Sequence, residues 1–331
     1  MKNRIIITRS PVRITFCGGG TDIPEYYSNH GPGVVVNAAI NKYVYIILNK
    51  PFDNKIRVGY SKTEIVDSVD EVQHPTAREA LKLLGIEKGI EIVSLADIPG
   101  RIAGVGLGSS SAFIVGLLNA LHAWKGEIVS KEELAKEAVK IEREILKEEG
   151  GKQDQYAAAY GGINMFEFNR DGTVVTSPVI MKEENRKNLK DHLLMLFTGA
   201  EHSSSALHKE QKGLLEGKIE AYNKMRDYAH EFYENLSIEN GWKQTGKLMH
   251  ENWLLKRTLS KSITNSAIDT MYEKAMQNGA EGGKIIGAGG GGFLLLFAKP
   301  ELHDKITNAL GLTRVDLDFD YLGSRIIYVG D

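Results

Sequence analysis

Residues 104–112 read Gly-Val-Gly-Leu-Gly-Ser-Ser-Ser-Ala and run straight into an apolar, helix-patterned segment. Alternating glycines let the main chain turn sharply and approach a ligand closely, because no Cβ stands in the way. The helix that follows begins with unpaired N–H groups and the positive end of its dipole. Gly104, Gly106, Leu107 and Gly108, with the hydroxyls of Ser109, Ser110 and Ser111, therefore form a cradle for phosphate. Those hydroxyls can bond a phosphate oxygen or a metal ion.

The commoner explanations of such a loop fail on spacing. Lys284 follows Gly283, but Ile285 stands where a P-loop carries a hydroxyl. A dinucleotide fingerprint needs glycine three residues after Gly106, where the chain has Ser109, and a hydrolase elbow needs glycine at Ala112. His250-Glu251 opens like a zinc-protease helix, but Leu254 replaces the second histidine. The net charge of −2 shows no basic excess, so neither nucleic acid nor a membrane surface is an expected partner. The single cysteine, Cys17, excludes an internal disulfide and a cysteine-based zinc cluster and suits a reducing, cytoplasmic setting. No apolar stretch approaches the roughly 18 residues of a membrane span, and the first residues carry too short an apolar run for a signal peptide.

With 331 residues the chain is long enough for two packed domains. Strand-like runs crowd the first half: Arg4–Thr8, Val12–Cys17, Gly33–Ala38, Lys42–Leu48, Ile56–Tyr60, Ile90–Leu95 and Ile163–Phe168. Ser109–Trp124 carries a stripe of Phe113, Leu117, Ala120, Leu121 and Trp124, and Ser130 with Glu133 caps a second helix that runs to about Glu149. The second half is helix-rich between Glu201 and Thr258, with another helix at Ala267–Gln277 and a short one at His303–Leu310. Strands are expected at His192–Phe197, Lys284–Ile286, Phe293–Phe297 and Arg325–Val329. The expected division separates residues 1–180 from residues 181–331.

Three carboxylates and a third glycine loop surround the cradle in sequence order. A strand-like run delivers Arg13 and then the turn Gly18-Gly-Gly-Thr-Asp22, where Asp22 either caps a tight turn or accepts the hydroxyls of a sugar or polyol. Glu142 falls on the apolar arc of its helix, where a carboxylate needs a structural ion-pair partner or a metal such as magnesium shared with the serine loop. Asp154 sits in the first turn of a small-residue helix, as a dipole-favoured acid or as a base against a substrate hydroxyl. Gly287-Ala-Gly-Gly-Gly-Gly292 has five glycines in six positions, more than a plain turn requires, and points to close approach to another loop or a ligand.

In this order, Pro11-Val-Arg-Ile-Thr15, Gly106-Leu-Gly-Ser-Ser-Ser111 and Gly287–Gly292 resemble the GHMP kinases, the superfamily of galactokinase and of homoserine, mevalonate and phosphomevalonate kinases. The resemblance implies a two-domain α+β fold. Its N-terminal domain is similar to domain 2 of ribosomal protein S5, its C-terminal domain to a ferredoxin-like unit. It implies ATP bound by Gly104–Ser111, magnesium held by Ser110 and Glu142, Asp154 as catalytic base, and Arg13 as an arginine that lowers the acceptor hydroxyl's pKa or steadies the developing charge. Gly18, Gly19, Gly20, Thr21 and Asp22, with Gly289 and Gly290, are the implied substrate contacts.

Gly18-Gly-Gly-Thr-Asp22, Asn37–Tyr45 and Gly151-Lys-Gln-Asp-Gln-Tyr156 are most similar to D-glycero-D-manno-heptose 7-phosphate kinases, which phosphorylate the anomeric C1 hydroxyl to the 1,7-bisphosphate on the route to GDP-heptose and surface polysaccharide. A kinase for an unphosphorylated fucose- or galactose-type sugar, or a non-catalytic sensor on the same fold, are the alternatives; Arg13, Ser110, Glu142 and Asp154 together argue against the sensor. The expected partners are thus ATP and a small sugar phosphate, with a homodimer compatible. Arg9, Lys42, Arg101 and Thr198–Ser205 are the candidates for the acceptor phosphate. Two departures from the family stand out: Ile102 where a proline is common, and Thr198-Gly199 followed by Ala200 rather than an early arginine.

Overall fold

The structure is a computed structural model and describes residues 5–98, 106–199 and 204–330. Gly104, Arg101, Ile102 and the segment 200–203 lie outside the described residues. Among the described residues twelve strands form two sheets. The first contains β1 (Ile5–Cys17), β2 (Gly33–Asn49), β3 (Ile56–Gly59), β4 (Thr63–Val66), β5 (Ile90–Ala96), β6 (Ile163–Phe168), β7 (Val174–Pro178) and β12 (Arg325–Gly330). The second has the order β11-β8-β10-β9, made of Thr313–Val315, Leu193–Phe197, Phe293–Ala298 and Ala280–Ile285.

The sequence divides β1 and β2 into four strands; they are two. Pro11 interrupts the apolar alternation, but a register shift between Pro11 and Arg13 takes up the missing N–H without ending the strand. β2 is long enough to serve two neighbours: Gly33–Ala38 pair with β6 and Val44–Asn49 with β5. The last strand, expected with the second half, is instead paired antiparallel with β1 in the first sheet. The chain reaches it along Asp320, whose N–H donates to Ala39 O and whose carbonyl accepts from Gly162 N. Several short elements were not legible: β4, β7, β11 and the helices Pro75–Leu83 and Glu183–Asp191.

The Ser109–Lys125 helix lies against β1 and β2, with the helices at 131–139 and 153–160 on its other sides. It is therefore buried nearly all round: Ile114, Val115 and Leu118 are inside along with Leu117, Ala120 and Leu121, while Phe113 and Trp124 sit at the margin. Ser130 caps the next helix by accepting from Glu133 N at 3.1 Å. That helix does not continue as α to Glu149. After Val139 it opens into a π turn, Lys140–Ile145, which inserts extra backbone and shifts the facing residues. Ile145 is turned outward, and Ile141 and Glu142 are turned in.

In the second half, the Ile219–Ser237 and Thr245–Arg257 helices pack on each other; the first also covers β2 and the second β9. Phe16 of β1 stacks on Phe232 at 5.0 Å, so one apolar core runs from the first sheet into these helices. No helix among the described residues is long and apolar enough to cross a membrane.

Candidate active site

The three glycine loops meet. Gly106 and Gly287 lie backbone to backbone: a Cβ added to Gly106 would collide with Ile286 O, and one added to Gly287 would collide with Gly106. Both have positive φ, 82° and 84°. Gly287 of the 287–292 loop is therefore explained by close approach to the serine loop. Gly108, also left-handed, is the N-cap of the Ser109–Lys125 helix and offers no side-chain cap. The first N–H groups of that helix are left available to an anion.

β1 delivers Arg13 to the underside of this loop. Its N–H donates to Leu107 O at 2.9 Å, and its Nη1 donates to Gly106 O. The rest of the guanidinium is paired with Asp154: Nε donates to Oδ1 at 2.7 Å and Nη2 to Oδ2 at 2.8 Å. A planar fork matches a carboxylate in this bidentate way, and the pair holds both groups in one orientation. Asp154 does stand in the first turn of a helix, Gln153–Tyr160. It also touches the loop, since a Cβ on Gly108 would lie 3.0 Å from its Oδ2. The small residues behind it, Ala157 and Ala158, are buried and let the helix lie close.

Among the described residues Glu142 has no cationic partner, and hydrogen-bond donors take the place of an ion pair. Its carboxylate accepts from Ser110 Oγ and Ser111 Oγ, each at 2.9 Å, and from Gln155 Nε2 at 2.5 Å. The buried charge is stabilised by three donors. The π turn is what aims it at the serines. Ser110 is exposed, so the Ser110–Glu142 edge of the cluster faces outward.

On the acceptor side, Asp22 serves as a structural clamp. Oδ1 accepts from Gly20 N at 3.0 Å and Gln153 Nε2 at 3.1 Å, and Oδ2 accepts from Gln153 N at 3.1 Å. It thus fastens the glycine turn to the start of the helix that carries Asp154. The Thr21 hydroxyl is engaged inside the turn with Gly18 O, Val34 O and Val34 N, and Gly18 packs on Val34 while donating to Asn252 Oδ1. Thr21 and Gly18 therefore shape the loop from behind. Gly289 and Gly290 likewise pack on Ile263, with Gly290 N donating to its carbonyl at 2.8 Å. Gly287 and Ala288 take the place expected of them on the cleft wall.

The cleft is lined by Arg13, Gly19, Gly20, Asp22 and Asp154, with four residues that sequence reasoning missed: Arg143, Gln153, Gln211 and Lys256. Arg9 and Lys42 do not line it; Arg9 lies over the Tyr43 ring at 4.4 Å. Lys256 comes from the Thr245–Arg257 helix, is 4% exposed, and donates Nζ to Gly287 O at 2.7 Å. A Cβ on Gly19 would lie 3.8 Å from that nitrogen, so Lys256 stands between the first and third glycine loops. Burial pushes its pKa down to about 8, opposed by Asp22 and Asp154 and reinforced by Arg13. Behind it Lys284 is fully buried with no hydrogen-bond partner among the described residues; burial first, then the Lys256 charge, hold it well below the usual lysine range. No local pattern marks either lysine. Both lie in ordinary helix or strand contexts, and only the packing of the second half onto the first turns them inward.

Comparison with known proteins agrees with this architecture. The family profile described as GHMP kinases N terminal domain matches residues 72–162, and the GHMP kinases C terminal profile matches residues 231–313. The chain is 30% identical over 330 residues to the D-glycero-alpha-D-manno-heptose 7-phosphate kinase of Campylobacter jejuni, an alignment that covers 93% of each. It is 28% identical to the L-fucokinase/L-fucose-1-P guanylyltransferase of Bacteroides fragilis, over 93% of this chain and 36% of that one. The fold superposes with a TM-score of 0.80 on a D-glycero-D-manno-heptose 1-phosphate kinase from Bacteroides thetaiotaomicron, 24% identical, covering 98% of this chain and 99% of that one. It superposes with a TM-score of 0.75 on a Lactococcus lactis galactokinase, 17% identical, covering 97% and 94%. The two sheets and their helices are thus the fold of a small-molecule kinase. The chain belongs to the GHMP kinase family, and it is an ATP-dependent sugar kinase.

Proposed function

We propose that this kinase transfers the γ-phosphoryl group of ATP to the anomeric C1 hydroxyl of D-glycero-D-manno-heptose 7-phosphate, giving the 1,7-bisphosphate. The observation that carries a phosphoryl-transfer reading is the Arg13–Asp154 pair, set under Gly106–Gly108 and open to the cleft. The relative of Campylobacter jejuni, similar over nearly the whole length, supports the choice of acceptor.

Phosphoryl transfer asks for alignment and charge neutralisation rather than covalent help from the protein. Gly106–Ser111 and the helix start behind it hold the nucleotide phosphates. Asp154 points its unpaired lone pairs into the cleft, where they orient the acceptor hydroxyl and take its proton. In a loose transition state the proton leaves late, so orienting the acceptor hydroxyl is the first duty of Asp154. Arg13 fixes Asp154 and neutralises charge developing on the acceptor oxygen. Lys256, with two N–H groups left after its bond to Gly287, meets the phosphoryl group between the loops. Magnesium fits Ser110 and Glu142: a hydroxyl and a carboxylate are hard oxygen donors, and the ion commonly completes its shell with phosphate oxygens and water. It supplies neutralisation of the phosphate charge when bound.

The product tests the reading. Incubation with ATP, magnesium and heptose 7-phosphate should give a new anomeric phosphate signal by phosphorus NMR while the 7-phosphate signal persists. A product phosphorylated elsewhere, or turnover with free fucose or galactose only, would replace this acceptor by the alternative of an unphosphorylated sugar.

A further inference from the structure

Arg143 is the one cation lining the cleft whose duty the transfer step leaves open. Arg13 is paired with Asp154, and Lys256 is bonded to the loop that touches Gly106. Among the described residues no carboxylate pairs with Arg143. Its Nε donates to Gly151 O at 3.0 Å, and its Nη1 donates to Glu148 O at 3.1 Å and Glu149 O at 3.0 Å. Three carbonyls thus fix the plane of the guanidinium, and Nη2 donates to no described residue. Main-chain carbonyls orient a guanidinium without forming an ion pair with it, and the Glu148 carboxylate interacts with its charge only from beyond contact distance.

The position is also set by the fold. Glu142 and Arg143 are neighbours in the π turn Lys140–Ile145, and the turn sends them apart, Glu142 inward to the serines and Arg143 to the cleft. Gly151, which Arg143 holds, packs directly on the Asp22 carboxylate; a Cβ there would overlap it. Arg143 therefore belongs to the acceptor-loop side of the cleft, away from the Gly106–Gly287 contact. A preoriented guanidinium presenting one free edge matches a phosphate group, and less well a neutral hydroxyl.

We infer that Arg143 is the ligand of the phosphate already carried by the acceptor, and so sets the choice of a sugar phosphate over a free sugar. The inference rests on the acceptor reading above, and its test separates the two. Initial rates of the full chain are compared on heptose 7-phosphate and on the same heptose without phosphate, for the wild type, Arg143→Gln and Arg143→Lys. A wild-type preference that falls by about 10- to 100-fold in Arg143→Gln, the loss expected for charge-assisted hydrogen bonds, with Arg143→Lys between the two, bears the inference out. A residue that only braces the 148–151 turn would lower both rates together and leave the preference intact; that result overturns the role of Arg143 while the acceptor reading stands. A wild type without preference for the phosphorylated sugar overturns both. If the Gln variant does not fold, the Lys variant carries the same comparison, because it keeps the charge and loses the fork.

Discussion

On the serine-loop side of the cleft, Gly106–Ser111, Arg13, Asp154 and Glu142 are tied to one another by short bonds, and each charged group already has its partner. On the acceptor side, the glycine turn is equally locked by Asp22 and Thr21, but the groups that face the empty space come from elsewhere: Arg143 from a π turn, Gln211 and Lys256 from helices of the second half. The first wall is a set of contiguous motifs with fixed chemistry. The second is assembled from single side chains on unrelated elements, of which Arg143 and Gln211 can differ without removing a group of the transfer apparatus, whereas Lys256 belongs to both walls. A shared reaction with divergent acceptors is what such an arrangement permits.

Breaking the first wall should cost most. Asp154→Asn is expected to lower kcat by about 10²- to 10⁴-fold while the KM for ATP changes little; turnover near wild type would remove Asp154 as the proton acceptor. Lys256→Met, at the seam of the two walls, is expected to lower kcat/KM by about 10²-fold, as for loss of one charged donor at developing charge. Because burial brings the Lys256 pKa down to about 8, its charge is present below that pH and lost above it. Wild-type kcat/KM should therefore decline as pH rises through about 8, and a pH–rate profile of Lys256→Met should lack that limb. Glu142→Gln should raise the magnesium concentration needed for half-maximal rate by about 10-fold; an unchanged magnesium titration would leave Glu142 a purely structural acceptor for the serines. Thr21→Val should do least to catalysis: thermal unfolding should report about 1–3 kcal/mol lost with the buried hydroxyl bonds, with acceptor KM within about threefold because the hydroxyl faces Val34 and not the cleft.

How much of this was legible in the sequence follows the same division. Glycine and serine runs constrain backbone locally, so the cradle at 106–111, the Asp154 helix start and the crowded 287–292 loop were readable as chemistry before any fold was known. Glu142 was readable as an inward carboxylate near the serine loop, but its bond from Gln155 and the π turn at Lys140–Ile145 were not, because an α-helical phase was assumed there. Pro11 hid the continuity of β1, since a register shift compensates for it only in the paired strand. Thr21, Gly289 and Gly290 belong to genuine motifs but serve the packing behind the loops. Lys256 and Lys284 leave no local signal, because their meaning depends on which element of one half faces which loop of the other, and Arg143 leaves none because a π turn places it.

The central claim is a kinase reaction on an acceptor that already carries phosphate, and a coupled assay of ADP release across free sugars and their phosphates tests it most directly. The account predicts strong turnover with heptose 7-phosphate and little with free heptose, fucose or galactose. Turnover confined to an unphosphorylated sugar, with heptose 7-phosphate inert, would contradict it.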